Sequence, residues 1–277
     1  MRKAKDLAMR VKRPKLAIAL LLLAVFGGLL LAVLGVRGIR GDLAPGPGEP
    51  VGLVTSLPIY WPEGTDLAEL TQSGTAMPWT REALEQDYKL RPLDTLSMTG
   101  DSSPVLPGLE MPKDAITDLS QLDRLAIIQP RSINAADNVA LDEWVNQGGR
   151  LLLVLDPMLT GHYEVSIFDP QHPVGSALIP PVVGRWGLEL FFDESQPLEL
   201  RTVEARHGLL PVVMAGEIRL LDRGSGQCEL DGDGVIAHCR VGKGRVTLVA
   251  DATLFEAHDP SDQGVLLLRS LAREAFE

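Results

Sequence analysis

Several polar residues stand directly after apolar runs that read as β-strands. Ser56 follows VGLVT, Gln129 and Arg131 follow RLAII, Asp156 follows RLLLVL, and Asp251 follows RVTLVA. If these runs are strands of one parallel sheet, their carboxyl ends open on a common crevice, the edge at which open α/β sheets bind ligands. Thr55, Tyr60 and Trp61 adjoin the first strand end. Arg131 would offer a planar guanidinium able to grip a carboxylate or phosphate through two hydrogen bonds. Asp156 and Asp251 would form an acid–base pair, provided that they face each other in a pocket with shifted pKa values. The competing reading is structural. Aspartates after strands cap turns with their own side chains, and Trp61 packs against the preceding linker.

The segment QCELDGDGVIAHCR contains both cysteines of the chain. Asp-Gly is a strong signal for a two-residue type I′ hairpin turn. A turn centred on Asp233-Gly234 opposes residues 232 and 235, then 231 and 236, and so brings Cys228 opposite Cys239. Directly opposed strand residues fall within disulfide range. Alternation from such a turn makes this a hydrogen-bonded pair with a Cα spacing of about 5.5 Å. A cross-strand disulfide would contribute roughly 2–3 kcal/mol. Its role would be structural, because no C-x-x-C redox motif is present.

Other chemistries lack their signatures. Asp231-Gly-Asp233-Gly has no further oxygen ligands or bidentate Glu at calcium-loop spacing, so it reads as a turn. The five histidines (162, 172, 207, 238 and 258) show no metal-ligand spacing and are expected to be solvated. VGKGR at 241–245 departs from the Walker A pattern and lies between two strands, so it reads as a hairpin turn. There is no G-x-S-x-G elbow and no G-x-G-x-x-G after a strand. No metal and no cofactor is expected.

The elements that would position these residues are clearest over 124–157. RLAIIQ is a buried strand. NAADNVALDEWVNQ is an amphipathic helix with Asn134 as its cap and Gly148-Gly149 ending it. RLLLVLDP is the next strand. Strand, helix and strand with short joins form a right-handed βαβ unit and hence a parallel sheet. Near-continuous apolar strands agree with a sheet covered on both faces. Upstream, VGLVTS (51–56) is the first strand, TREALEQD (80–87) a short helix with Thr80 as its candidate cap, and YKLRPLD (88–94) the second strand. Residues 95–122 read as a long surface loop rich in Gly and Pro. Residues 158–181 form another long connection, with VGSALIPPVVGRWG carrying a proline-interrupted helix. LELFFDE is then a strand. The region from 198 to 250 is dense in strands, and DPSDQGVLLLRSLAREAFE is a closing helix capped by Ser261 or Asp262.

The N-terminus sets the location. Leu16 to Val36 is a run of 21 residues without a charge. As a helix it is about 31 Å long and matches a hydrocarbon core about 30 Å thick. Seven basic residues precede it against Asp6 alone, a net of +6, while Arg37 and Arg40 follow with +2. The more positive side stays in the cytoplasm, so the rest of the chain is expected outside. A cleaved signal peptide is the rival reading. The run exceeds an ordinary signal core, and GVRGIRG resembles no A-x-A cleavage site. The expected order is a basic head (1–15), a transmembrane helix (16–36), a Gly/Pro linker (37–50) and one soluble domain (51–277). Taking the +6 and +2 from the chain total of −11 leaves −19 on residues 41–277. So acidic a domain repels nucleic acid.

Two stretches carry a family resemblance. LAIIQPRSINAADNVALDEWVNQGGRLLLVLDP resembles the middle of the ABC-type transport-system auxiliary family, which includes gliding-motility auxiliary proteins. VGKGRVTLVADATLFE resembles that family's closing motif. The resemblance implies a fold similar to class I glutamine amidotransferases: a flavodoxin-like α/β sandwich with a mostly parallel sheet, here with a hairpin-rich C-terminal part. It also places Asp156, followed by Pro157, where those enzymes carry a nucleophilic cysteine. An aspartate without an adjacent histidine base is no ordinary acyl-transfer nucleophile. The expectation is a non-catalytic, single-pass auxiliary or binding subunit in the bacterial inner membrane. Its domain would be periplasmic and its partners an ABC permease or other envelope-complex subunits. A periplasmic hydrolase or sugar-processing enzyme using the carboxylate crevice is the alternative, and a purely structural domain is a third reading.

Overall fold

The computed structural model describes residues 48–65, 77–97, 119–258 and 260–277. All belong to one compact unit, Pro45–Glu277. The basic head, the span expected at 16–36 and most of the linker lie outside the described residues, as does most of the 95–122 loop. Among the described residues, no helix is long and apolar enough to cross a membrane.

The protein is an α/β fold built on a seven-stranded, mostly parallel sheet. Its strands are β1 (Glu49–Thr55), β2 (Tyr88–Pro92), β3 (Arg124–Ile128), β4 (Arg150–Val154), β9 (Gly226–Asp231), β10 (Ile236–Val241) and β11 (Gly244–Val249). They are arranged β2-β1-β3-β4-β11-β10-β9. The first five are mutually parallel, and β10 and β9 continue the sheet antiparallel. The parallel part follows the 2-1-3-4-5 order of flavodoxin-like sheets, with its topological switch between β1 and β3. Two short antiparallel pairs lie outside this sheet: β5 (Leu188–Phe191) with β8 (Glu217–Leu220), and β6 (Arg201–Ala205) with β7 (Gly208–Val212).

The helices are α1 (Trp79–Glu85), α2 (Ala135–Gln147), α3 (Pro181–Trp186), α4 (Thr253–Glu256) and α5 (Asp262–Phe276). Alternate strand residues feed two cores. Leu53, Ile128, Leu152 and Val154 pack with Leu84 of α1 and Leu268, Leu271 and Phe276 of α5. Leu125, Ile127, Leu151 and Leu153 pack with Leu141 and Trp144 of α2 and Trp186 of α3. Every residue of β3 is buried, as a strand covered on both faces requires.

The βαβ unit forms as its sequence predicts. The Asn134 side chain accepts the Asp137 amide, and Asp137 reaches back to the Asn134 amide, closing a capping box. Gly148 ends α2 with φ 129. At Gly149, a Cβ would lie 2.4 Å from the Trp144 indole, so the second glycine lets that ring lie flat on the chain. The Asp137 carboxylate also binds the start of the expected long loop: Thr95, Leu96 and Ser97 all donate to its Oδ1. Burial alone would raise its pKa, but these donors outweigh it and hold the carboxyl below its ordinary range.

Several local expectations need correction. Strand β1 begins at Glu49, so the linker is shorter at its end than 37–50. Helix α1 is capped by Pro78 without a side-chain bond, and Thr80 instead donates to the Ile59 carbonyl, 3.3 Å away. The Pro180-Pro181 pair does not interrupt a helix but starts α3, since proline's missing amide costs nothing in a first turn. Ser261, not Asp262, caps α5.

The β9–β10 connection has positive φ at Asp233 and Gly234, and Val235 donates to the Gly232 carbonyl at 3.0 Å. Gly232 is also left-handed, with φ 60, and leaves the ladder, whose last pair is Asp231 with Ile236. Closing the ladder one pair further out exchanges wide and narrow positions. Cys228 and Cys239 therefore form their disulfide across a Cα spacing of 4.0 Å, not the wider spacing expected from a two-residue loop.

Candidate functional site at the carboxyl edge of the sheet

The carboxyl ends of β1, β3, β4 and β11 do meet, but the residues predicted there divide into two groups. Ser56, Gln129, Asp156 and Asp251 are buried in a continuous polar layer. Arg131 is exposed and stands apart, at the mouth of an open cleft.

Gln129 is the hub of the buried layer. Its backbone leaves β3 with φ 45, an uncommon conformation for a residue with a side chain. Its side-chain oxygen accepts the Asp156 amide at 2.9 Å, and its Nε2 donates to the Asp156 carbonyl at 3.0 Å and the Val174 carbonyl at 2.8 Å. Ser56 closes the other side: its hydroxyl donates to the Gln129 carbonyl at 2.6 Å and accepts the Val174 amide at 3.1 Å.

The aspartates are used in the same way. Asp156 accepts the Met158 amide at Oδ1 and the Ala252 amide at Oδ2, at 2.7 and 2.8 Å. Asp251 accepts the Thr253 amide at Oδ1 and the Val213 amide at Oδ2, at 2.8 and 3.0 Å. Each carboxylate oxygen therefore holds a loop amide, and residues 157–177, 213 and 252–253 are folded down over the strand ends. Burial raises the Asp156 carboxyl to about 8, aided by the charge of Asp251 and opposed by its amide donors. Burial likewise raises Asp251 to about 7, against its donors at Thr253 and Val213. Nearby, Glu256 collects the Thr160 and Gly161 amides and the Tyr163 hydroxyl. The Tyr163 hydroxyl is driven well above the usual phenol range by burial and by this carboxylate.

The open cleft lies at the β1/β3 switch point and has a volume of about 520 Å³. Its floor is Leu53, Thr55 and Ser56, and its walls include Tyr60, Trp61, Glu63, Asp94 and Arg131. The aromatic wall is held firmly. Tyr60 and Trp61 pack edge to face with ring centroids 4.7 Å apart. Arg81 of α1 stacks over Tyr60 at 3.9 Å, donates to the Tyr60 carbonyl, and pairs with Glu85. Trp61 thus contacts Tyr60, and the residue remains 47% exposed. The opposite wall is strapped on by Glu63, which accepts the Val165 amide, and by Gln171, which donates to the Thr65 carbonyl. Among the described residues, Arg131 and Asp94 have no partner.

Sequence reasoning placed Thr55, Ser56, Tyr60, Trp61 and Arg131 near this cleft but missed Arg81, Glu63, Asp94 and Gln171. No motif marks those residues, because they come from α1 and from loops whose path only the fold determines. It also expected solvated histidines, whereas two are drawn inward around Glu274. His207 Nδ1 lies 2.6 Å from Glu274, and His238 Nε2 lies 3.3 Å from Asp231 and 3.6 Å from Glu274. The spacing of 207, 238 and 274 in the chain hides this cluster. Among the described residues, no group of three metal-ligating side chains could hold a metal ion.

No protein-family profile matches the chain, and no curated protein matches it. Solved structures with partial likeness include an exo-β-1,4-mannosidase from Opitutaceae bacterium strain TAV5 (16% identity, TM-score 0.38), covering 74% of this chain and 31% of that one. A cytoplasmic protein of Salmonella typhimurium shares 12% identity at a TM-score of 0.41, with 80% and 97% of the two chains covered. A ThuA-like protein from Parabacteroides merdae shares 10% identity at a TM-score of 0.36, with 83% and 90% covered. This chain spans less than a third of the mannosidase's length. At such TM-scores the likenesses carry no functional argument.

Proposed function

We propose that this chain is a membrane-anchored, non-catalytic auxiliary or binding subunit of an ABC-type transport or envelope complex. In this reading residues 16–36 span the bacterial inner membrane, the N-terminus is cytoplasmic and the domain is periplasmic. The fold is the class I glutamine amidotransferase-like member of its α/β class, retained without that chemistry. The observation that carries the proposal is the state of Asp156 and Asp251: all four carboxylate oxygens accept loop amides in a buried layer. A pair so occupied serves as the clasp of the sheet's edge, and the position equivalent to an amidotransferase nucleophile is filled by it. The Cys228–Cys239 disulfide suits an oxidising compartment outside the cytoplasm. A tether raises the effective concentration of the domain at membrane partners.

The alternative is a periplasmic hydrolase or sugar-processing enzyme using the same carboxylates. It draws on their raised pKa values, which suit acid–base work near neutrality. The occupied oxygens weigh against it. Crosslinking of the tagged full-length protein in membranes, followed by mass spectrometry, separates the readings. Capture of ABC permease or other envelope-complex subunits, lost when residues 1–40 are replaced by a soluble export signal, is the expected result. If nothing is captured and the untethered domain restores the cellular phenotype, the auxiliary reading fails.

A further inference from the structure

The switch-point cleft has polar groups of both signs to spare. The buried layer beneath it is fully engaged. The smaller cleft of about 330 Å³ over β10 and β11 is lined by Arg206, Glu229, His238 and Glu274, together with Arg240 and Arg245. The first four are paired, Arg206 at 2.8 Å from Glu229 and His238 at 3.6 Å from Glu274, so the charged groups left over there, among the described residues, are cations alone. In the switch-point cleft, by contrast, Asp94 and Arg131 make no ion pair with each other and have no other partner among the described residues. Among the described residues, Glu63 has one oxygen hydrogen-bonded, to the Val165 amide.

The cleft carries charges of both signs, Glu63 and Asp94 against Arg131. An anion would meet two carboxylates, and a cation would meet the guanidinium. A neutral ligand that both donates and accepts hydrogen bonds meets neither penalty. Carboxylates accept and guanidinium donates, each with two positions in a plane, so a pair of neighbouring hydroxyls satisfies either. The remaining feature is Trp61, a half-exposed residue whose indole is held in place through Tyr60 and Arg81 and offers an apolar face and a polar N–H together. The volume lies within the range of small-molecule sites.

We infer that the cleft between the ends of β1, β2 and β3 binds a neutral carbohydrate, one sugar ring lying against Trp61 and its hydroxyls shared between Asp94 and Arg131. This rests on the binding-subunit reading above and gives that subunit a ligand class. Since Arg81 already stacks over Tyr60, the aromatic wall is set before the ligand arrives, and binding orders little of the protein.

The test is isothermal titration calorimetry on the purified full-length protein in detergent. Its probes are cellobiose, maltose, lactose and N,N′-diacetylchitobiose, with L-leucine and glycine betaine as zwitterions of comparable neutrality. Saturable binding of at least one disaccharide is expected, with a change in tryptophan fluorescence. Trp61→Ala, Asp94→Asn and Arg131→Gln should each weaken that binding by about tenfold or more, and Trp61→Phe should weaken it less. A thermal melt for each variant separates lost binding from lost folding. Binding of none of the disaccharides, binding of the zwitterions alone, or disaccharide binding that the folded Trp61→Ala and Asp94→Asn variants retain unchanged would each overturn the inference. Partner capture in membranes does not depend on this outcome, so the two proposals fail separately.

Discussion

The side chain of Gln129 pairs with the backbone of Asp156 as one strand residue pairs with another, accepting its amide at 2.9 Å and donating to its carbonyl at 3.0 Å. The β3–β4 register ends at Ile128 with Val154, and the Gln129 amide makes the last main-chain bond, to the Val154 carbonyl at 2.9 Å; beyond it, with φ 45 at Gln129, the side chain continues the ladder. A third side-chain bond, to the Val174 carbonyl, ties the long 157–177 connection to the same point.

Gln129→Ala should therefore destabilise the domain well beyond its lost volume. It strands the buried Asp156 amide and removes a donor from the half-buried Val174 carbonyl, while the Asp156 carbonyl keeps the Ala177 amide, at a cost of about 1–3 kcal/mol. Urea denaturation of the full-length protein in detergent, followed by far-ultraviolet circular dichroism, measures it. A loss under about 1 kcal/mol would mean that water replaces the side chain and that the layer is open.

Asp156 and Asp251 make stability depend on pH with a definite sign. An unfolded aspartate titrates near 3.9, whereas burial raises these two to about 8 and about 7 in the fold. The folded state then binds protons more tightly than the unfolded chain. Their contribution is fully present below about pH 4 and is lost as pH rises through 7 and 8. The wild-type denaturation midpoint should fall between pH 5 and pH 8, and fall much less in the Asp156→Asn/Asp251→Asn double variant. The readout is the slope, because an amide nitrogen facing a loop amide lowers stability by about 1–3 kcal/mol at every pH. A flat wild-type profile would show both carboxylates ionised throughout, their amide donors outweighing burial.

How much of this was legible in the sequence follows from which forces are local. The β3–α2–β4 unit was readable because each signal acts within a few residues: unbroken apolar strands, the Asn134 cap, the Gly148-Gly149 stop. The identity of the strand ends was readable too, so Ser56, Gln129, Asp156 and Asp251 do converge. What those ends do was not readable, because it depends on amides at 174 and 213, which reach the layer through long connections, and on the Ala252 amide, which meets Asp156 from the end of a neighbouring strand 96 residues away in the chain. Arg131 shows the converse. It sits two residues beyond Gln129, yet the turn at Pro130 sends it out to the cleft while Gln129 stays buried. The disulfide was readable from opposition across a turn, but its spacing was not, since nothing in the string DGDG reveals that Gly232 leaves the ladder.

The Cys228–Cys239 bond supports the last prediction, which concerns both stability and compartment. It links two strands at the antiparallel edge of the sheet, 11 residues apart in sequence. A loop of that size, closed in the unfolded chain, raises stability by about 2–3 kcal/mol. Cys228→Ser/Cys239→Ser should lower the urea midpoint accordingly, and dithiothreitol should lower the wild type to the same level. The variant itself should show no response to the reductant. The same bond reports where the domain resides, because a cytoplasmic domain would keep its thiols reduced. Acid-quenched membranes treated with an alkylating reagent, then analysed by intact mass, should yield protein with neither cysteine labelled. Two labelled cysteines would place the domain on the reducing side and reverse the orientation drawn from the basic residues before Leu16.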